Sequence, residues 1–140
     1  MLEPLFDAEL DYQPGMTPLT SEGDGALIGS GDGAVHGPKL NGKLAWTLFE
    51  QPGSTVCAMA LVARILTDDG AQIRFDGRGY ATRRSQSDPS WRAAATLYFT
   101  TGDSRYSWLD GALALWEGEF SETTHHARYT AFLQPTVPAV

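Results

Sequence analysis

The stretch TVCAMALVARILTDDGAQIRFDGRGYATRR, residues 55–84, decides the fold because it has the pattern of a long β-hairpin. Its first arm, residues 56–66, carries one charge, Arg64, and is otherwise Val, Cys, Ala, Met, Leu and Ile. An arm that is apolar at both odd and even positions is typical of a strand buried on both faces. Residues 67–70 predict a tight turn, since Asp-Gly supplies the positive φ that such turns need.

The second arm of this hairpin alternates between two faces. One face carries Ala71, Ile73, Phe75, Gly77, Gly79 and Ala81, and the other carries Gln72, Arg74, Asp76, Arg78, Tyr80 and Thr82. Polar faces of alternating strands usually point to solvent, which is the first interpretation. The second is that the polar side chains point into the lumen of a ligand-holding barrel. Under both, the glycines opposite them indicate a closed or strongly bent sheet.

The composition indicates one soluble domain covering all 140 residues. This length buries a core without disulfides or metal, and the lone Cys57 lies inside the apolar arm, as a core residue would. The formal charge of −7 argues against nucleic acid or an anionic membrane as partner, because both need a basic patch. Without a signal peptide or an apolar run long enough to span a bilayer, we expect a cytoplasmic protein.

Alternation and turn signals predict eight or nine strands with little helix. Besides the central hairpin, strands are predicted at residues 5–12, 26–30, 42–50, 91–101, 112–120 and 124–134, and one helical turn at residues 105–110. On the first strand, Phe6, Ala8, Leu10 and Tyr12 share one side. We expect an all-β fold, a closed antiparallel barrel, because closure removes exposed sheet edges.

Metal and cofactor signatures are weak in this chain. A short Asp-Gly segment occurs twice, at residues 23–27 and 31–35, but two copies indicate turns that flank a short strand better than they indicate calcium. His125 and His126 are adjacent in a predicted strand, so they point to opposite faces and cannot both ligate one metal without a β-bulge. We therefore predict no metal and no cofactor.

Candidate catalytic groups are those that could meet in a barrel lumen. Arg74 and Asp76 are two residues apart, hence on one face, and can pair. A carboxylate in a half-apolar cavity is a candidate general base, with Tyr98 or Tyr106 as acid or as hydrogen-bond donor to a carbonyl. The alternative is an ion pair on the outer surface, with the tyrosines capping the core.

Several short motifs, in a fixed order along nearly the whole chain, resemble the DUF3237 (UPF0311) family of small bacterial and fungal β-barrel proteins. They are Pro4-Leu5-Phe6, Gly37-Pro38-Lys39-Leu40-Asn41-Gly42, Thr67-Asp68-Asp69-Gly70-Ala71 with Ile73 and Gly79, Phe99, Thr101-Gly102-Asp103 and Arg105-Tyr106-x-Trp108-Leu109. The resemblance implies a calycin-like or allene-oxide-cyclase-like barrel with a central cavity. Barrels of this shape include cofactor-free cyclases and isomerases that act on hydrophobic small molecules, which is an analogy of fold.

The chain departs from the family pattern at three acidic or amide positions. A Gly-Gly-x-Asp-Trp segment of the family is Leu44-Ala45-Trp46 here, an acidic residue of the next strand is replaced near Ala60, and the usual Asn after Trp-Leu is Asp110. If those family positions carry a reaction, the acid has been lost or has moved to Asp76 or Asp110.

The first hypothesis is a cofactor-independent enzyme that binds an apolar or aromatic small molecule in the barrel. It would catalyse isomerisation, cyclisation or elimination by proton transfer, with Asp76 or Asp110 as base and Arg74 holding an oxygen. The candidate catalytic residues are Asp76, Arg74, Asp110 and Tyr98, and the candidate substrate-binding residues are Tyr106, Trp108, Trp46, Tyr80 and His36. The second hypothesis is a non-catalytic carrier or sensor, favoured if the polar face of residues 72–82 meets solvent. The third is a structural subunit of a homo-oligomer.

Overall fold

The computed structural model describes residues 2–12, 17–18 and 27–134, and these form a closed antiparallel barrel. Its strands are β1 (Glu3–Tyr12), β2 (Thr17–Pro18), β3 (Leu27–His36), β4 (Asn41–Pro52), β5 (Val56–Thr67), β6 (Gln72–Thr82), β7 (Ser90–Thr100), β8 (Leu113–Ser121) and β9 (His126–Gln134), with a 3₁₀ helix, Ser104–Leu109, between β7 and β8. From β3 to β9, consecutive strands pair with each other. β1 pairs with both β9 and β3 and closes an eight-stranded barrel, while the two-residue β2 pairs only with β3. The expected all-β barrel is confirmed.

Side chains alternate between the two faces of a strand, so every second side chain points into the barrel. On β7 the alternate residues Trp91, Ala93, Ala95, Leu97 and Phe99 are all buried. Aromatic side chains fill much of the interior, where Trp116 stacks on Tyr129 with 4.4 Å between ring centroids. Phe75 packs edge-on against Trp116 at 5.6 Å.

The outer face of β5 corrects one expectation from the sequence. Val56 and Leu66 are each 50% exposed and Val62 is 39% exposed, so the strand is not buried on both faces. A barrel wall has a single inner face, and none of the described residues forms a second layer over this side. Because this outer surface is apolar, association of the chain into a homo-oligomer stays a hypothesis. Measuring the molecular mass at several protein concentrations tests it.

β3 corrects a second expectation. The predicted short strand extends to His36, so residues 31–33 lie inside β3 instead of forming a turn, whereas residues 23–26 lie outside the described part of the chain. A Cβ on Gly31 would meet the carbonyl oxygen of Asp11, and one on Gly33 would meet that of Glu9. The glycines are therefore needed where the backbone of β1 comes close to β3 and seals the barrel.

The two ends of the barrel differ. At one end, which we call the closed end, the 3₁₀ helix buries Tyr106 and Leu109. Its Trp108 ring lies under the Lys39 ammonium of the β3–β4 connection, 5.4 Å from nitrogen to ring centroid. The β4–β5, β6–β7 and β8–β9 connections lie at the opposite end, which we call the open end. Among the described residues, no helix is long and apolar enough to cross a membrane.

Candidate functional site

The four predicted lumen residues of β6 lie on the outer wall, so the lumen interpretation is wrong and the solvent interpretation is confirmed. All four side chains are exposed: Arg74, Asp76, Arg78 and Tyr80. The opposite parity of β6, with Ile73 and Phe75, fills the interior instead, because a strand cannot turn both faces inward. Arg74 Nη2 lies 3.4 Å from Asp76 Oδ1 in a pair whose side chains are 62% and 52% exposed.

The other predicted catalytic residues also lie away from the interior. Tyr98 is 57% exposed and stands opposite Asp76 in the β6–β7 register. Asp110 is an exposed residue just after the 3₁₀ helix, and its Oδ1 accepts a hydrogen bond of 3.3 Å from the Thr101 amide. His36 is exposed at the end of β3. The predicted catalytic set therefore does not meet around one cavity.

Tyr106 and Trp108, predicted to bind substrate, belong to the packing of the closed end. The Tyr106 hydroxyl donates to the carboxylate of Asp69, 2.9 Å from each oxygen. Thr67 also donates to Asp69, and Arg105 lies 3.5 Å from it. Hydrogen bonds from Thr67 and Tyr106 lower the pKa of Asp69. The motifs that carry the family resemblance thus tie the β5–β6 turn to the 3₁₀ helix.

A pocket of about 290 Å³ opens at the other end of the barrel. Its walls combine aromatic and apolar side chains with a few titratable ones, chiefly Tyr12, Glu50, Cys57, Met59, Arg83, Trp91, Phe120, Glu122, His125 and Tyr129. Seven of the long strands, all but β3, and the three connections at the open end contribute lining residues. Trp46 lies buried next to this pocket, with its ring centroid 4.3 Å from that of Tyr12. It is the one predicted substrate-binding residue close to the pocket.

Glu50 brings a carboxyl group into this apolar setting. It follows Leu44, Trp46 and Leu48 at a spacing of two on β4, so its side chain takes the inward direction. Burial raises the pKa of Glu50; the hydrogen bond from Cys57 lowers it, and the nearby charge of Glu122 raises it. No basic side chain among the described residues pairs with Glu50. The carboxyl therefore keeps its proton to a higher pH than an exposed glutamate.

Cys57 and two tyrosines surround Glu50 with neutral polar groups. The Cys57 thiol lies 3.4 Å from Glu50 Oε2, and burial beside that carboxyl raises the thiol pKa to about 12. Burial likewise raises the pKa of Tyr129 to about 12 and that of Tyr12 well above its usual value, and the two hydroxyls lie within hydrogen-bonding reach. All three groups therefore stay protonated at neutral pH and can donate hydrogen bonds, and Cys57 is not a nucleophile.

Three residues, Arg83, Trp91 and Glu122, hold the rim of the pocket together, and we call them the rim clamp. Trp91 Nε1 donates to Glu122 Oε1 at 2.7 Å, and Arg83 Nη1 lies 3.4 Å from the same oxygen. The Arg83 guanidinium stacks 4.3 Å above the Trp91 ring. Arg83 Nε also donates to the Ser54 carbonyl at 2.8 Å. The clamp therefore joins the three connections at the open end.

His125 holds Tyr12 at the edge of the pocket through its backbone. It lies in the β8–β9 turn with φ of 56°, so it is not in a strand as expected. Its carbonyl accepts a hydrogen bond of 2.9 Å from the Tyr12 amide. The turn therefore positions the end of β1, where the Tyr12 ring packs on Phe120 at 4.3 Å.

The residues of this pocket were missed in the sequence, although one signal was available. Glu50 continues the inward series of β4, and a carboxylate on an apolar face is a recognisable exception. Tyr12 is the last residue on the apolar face of the first strand. Tyr129 lies on the same face of β9 as the small residues Ala127 and Ala131. Parity alone did not show that β1, β4 and β9 bring these residues to the same end.

A closed eight-stranded barrel with a largely apolar pocket at one end is the class that this fold and site define. Within that class, the model of the family described as "Protein of unknown function (DUF3237)" matches residues 1–133, and the chain belongs to this family. The predicted family resemblance is thereby confirmed. No curated protein matches the chain in sequence.

Several solved structures share the fold. A β-barrel-like protein from Acinetobacter baumannii is 20% identical, with a TM-score of 0.77 and 96% of both chains covered. A protein of unknown function from Clostridium acetobutylicum is 17% identical, with a TM-score of 0.78, and 95% of this chain and 98% of that chain are covered. An enzyme from Penicillium herquei is 22% identical, with a TM-score of 0.64 and 94% and 93% covered. At these identities the likeness shows the fold alone.

Proposed function

We propose that this protein is a cofactor-independent enzyme that binds an apolar or aromatic small molecule in the open-end pocket. The reaction is an isomerisation, a cyclisation or an elimination of the bound molecule, and it proceeds by proton transfer. The observation that carries the proposal is the carboxyl of Glu50, held among aromatic side chains without a basic partner in the described part of the chain. It replaces Asp76 and Asp110, which lie outside the interior.

The chemistry follows from the protonation states around Glu50. A carboxyl whose pKa is raised by burial holds its proton more firmly than an exposed one, and it can give that proton to a ligand and take one back in the same turnover. Tyr12 and Tyr129 keep their protons and can donate hydrogen bonds to an oxygen on which negative charge develops. Glu50 is therefore the proposed acid–base group, and the tyrosines stabilise the charge that the transfer creates.

One structural neighbour supports an enzymatic function for this barrel. The Penicillium herquei protein of the same fold is described as an enzyme, although its description names no reaction. A shared fold hosts many activities, so the argument for this chain rests on its own pocket.

A non-catalytic carrier is the second candidate, and one observation favours it. The polar face of β6 meets solvent, so the interior is largely apolar, as expected for a carrier of a hydrophobic ligand. In a carrier, Glu50 would only hydrogen-bond its ligand. Chemical change of the ligand separates the two candidates.

The test is incubation of a small-metabolite extract with a trace of protein, followed by mass spectrometry. We expect one compound to decline while an isobaric or smaller product grows. Glu50→Gln keeps the side-chain shape but cannot release a proton, so it should lose about 100-fold or more in rate. Asp76→Asn is the matched control on the outer wall and should keep the rate of the native protein.

Two results would contradict the proposal. Compounds retained on the protein but chemically unchanged would establish the carrier. Turnover that survives Glu50→Gln but is lost in Asp76→Asn would return the reaction to the outer wall.

A further inference from the structure

The pocket contains few charged side chains, and their pairing limits the charge of its ligand. Within the described residues, the charged or readily titrated groups that line it are Glu50, Arg83, Glu122 and His125. Tyr12, Tyr129 and Cys57 also line it, as neutral donors. Whether an ion fits depends on which of the charged groups is still free to pair with it.

Arg83 is the one arginine or lysine among these lining residues, and its positive charge is already used. Its side chain is 13% exposed, pairs with Glu122 at 3.4 Å, and donates through Nε to the Ser54 carbonyl at 2.8 Å. One face of the guanidinium covers the Trp91 ring at 4.3 Å. Binding a carboxylate or phosphate here would require Arg83 to leave the rim clamp.

Glu122 is paired as well, because its Oε1 accepts both the Trp91 indole N–H at 2.7 Å and the Arg83 interaction. Its pairing leaves the clamp neutral as a unit. Glu50 is buried beside Cys57 and near Glu122, an environment that favours its uncharged, hydrogen-bond-donating form. His125 lines the pocket from the β8–β9 turn and is exposed to solvent.

From this pairing we propose that the pocket takes uncharged aromatic ligands that carry a hydrogen-bond-accepting oxygen, and rejects ions of either sign. The acceptor oxygen, such as that of an aryl ketone, meets the Glu50 carboxyl and the tyrosine hydroxyls. The aromatic walls of Trp91 and Phe120 take the ring. The inference rests on the proposed function, since both use this pocket, and it adds the charge and chemical class of the ligand.

The size of the pocket narrows the class further. Its volume of about 290 Å³ is at the lower end of the ~300–1,000 Å³ that ligand pockets usually have. A ligand of one or two fused rings therefore fits, and larger ring systems would have to extend through the open end.

Three probes with the same ring test the inference: 2-acetylnaphthalene, 2-naphthoate and 2-naphthylmethylammonium. They are neutral, anionic and cationic near pH 7. Titration calorimetry of the whole protein gives their dissociation constants. We expect the ketone to bind about tenfold or more tightly than either ion, because an ion entering the pocket loses water without gaining a free partner.

Two variants assign the selectivity to the named groups. Glu50→Gln is neutral and still donates through its amide, so the ketone affinity should stay within about threefold. Glu122→Gln keeps an acceptor for Trp91 but frees the charge of Arg83, so the naphthoate affinity should rise about tenfold. Asp76→Asn on the outer wall is the control and should leave the dissociation constants of all three probes unchanged.

The other results separate the failure of this inference from the failure of the proposed function. If either ion binds as tightly as the ketone, the charge argument is wrong while the pocket and its proposed reaction remain. If none of the three probes binds, the ligand class and the pocket fall together. If the ketone binds but no compound in the metabolite extract is converted, the ligand class stands and the enzymatic function falls.

Discussion

Glu50 is the residue whose protonation links the site to the stability of the fold. In the unfolded chain, Glu50 ionises near the ordinary glutamate pKa of about 4.3. In the folded protein, burial raises the pKa of Glu50 and keeps it protonated to higher pH. The folded protein then binds more protons than the unfolded chain, so stability falls as the pH rises through this window. Below the ordinary pKa both states are protonated and Glu50 has no effect.

The variant Glu50→Gln should therefore be more stable than the native protein at about pH 8, with the difference fading toward about pH 4. Thermal unfolding of both proteins across this range measures it. Glu117→Gln, which removes an exposed carboxylate of the outer wall, is the matched control. Parallel curves for Glu50→Gln and the native protein would show that the carboxyl ionises normally in the fold.

The 3₁₀ helix is the element that closes one end of the barrel, and its attachment depends on Asp69. Tyr106→Phe removes the hydroxyl that donates to both carboxylate oxygens, so Tm should fall at about pH 7. Because the pKa of Asp69 is lowered in the fold, its stabilising effect is present above about pH 4 and is lost as the pH falls through the lowered value. The difference between variant and native protein should therefore shrink in acid.

Tyr98→Phe is the control for this element, because it removes a hydroxyl from a tyrosine that is 57% exposed on the outer wall. Its Tm should match that of the native protein at every pH. Equal losses in Tyr106→Phe and Tyr98→Phe would mean that the hydroxyl of Tyr106 does not anchor the 3₁₀ helix.

At the level of strands, alternation predicted which residues share a face but not which face is inside. On β6 the sequence allowed either face to be the inner one. The closed barrel places the face with Ile73 and Phe75 inside. On β5, apolar residues on both faces of the strand predicted that both faces are buried, yet Val62 and Leu66 are exposed to solvent. The site was not predicted because Glu50 lies on β4, whereas Arg83 and Glu122 belong to two connections far from it in sequence.

Closure of the whole barrel depends on the pairing of β1 with β3. Gly33→Ala would place a Cβ against the backbone carbonyl of Glu9, and the strands would have to separate. We expect a loss of about 1–3 kcal/mol in the free energy of unfolding, measured with urea. Gly102→Ala is the matched control, because its Cβ would meet nothing within 4 Å, and it should change stability by about 0.5 kcal/mol or less.

The position of β1 between β3 and β9 also governs how the chain folds. Asp11 pairs with His126, and Asp7 with Thr130, so one seam joins residues 115 and 123 positions apart. Such distant pairings have a large loop-closure entropy and slow the folding of β proteins. During synthesis, the meander from β3 to β8 can assemble while β1 still lacks its second neighbour. The ring closes only after β9 has left the ribosome, and until then the open edges are exposed to other chains.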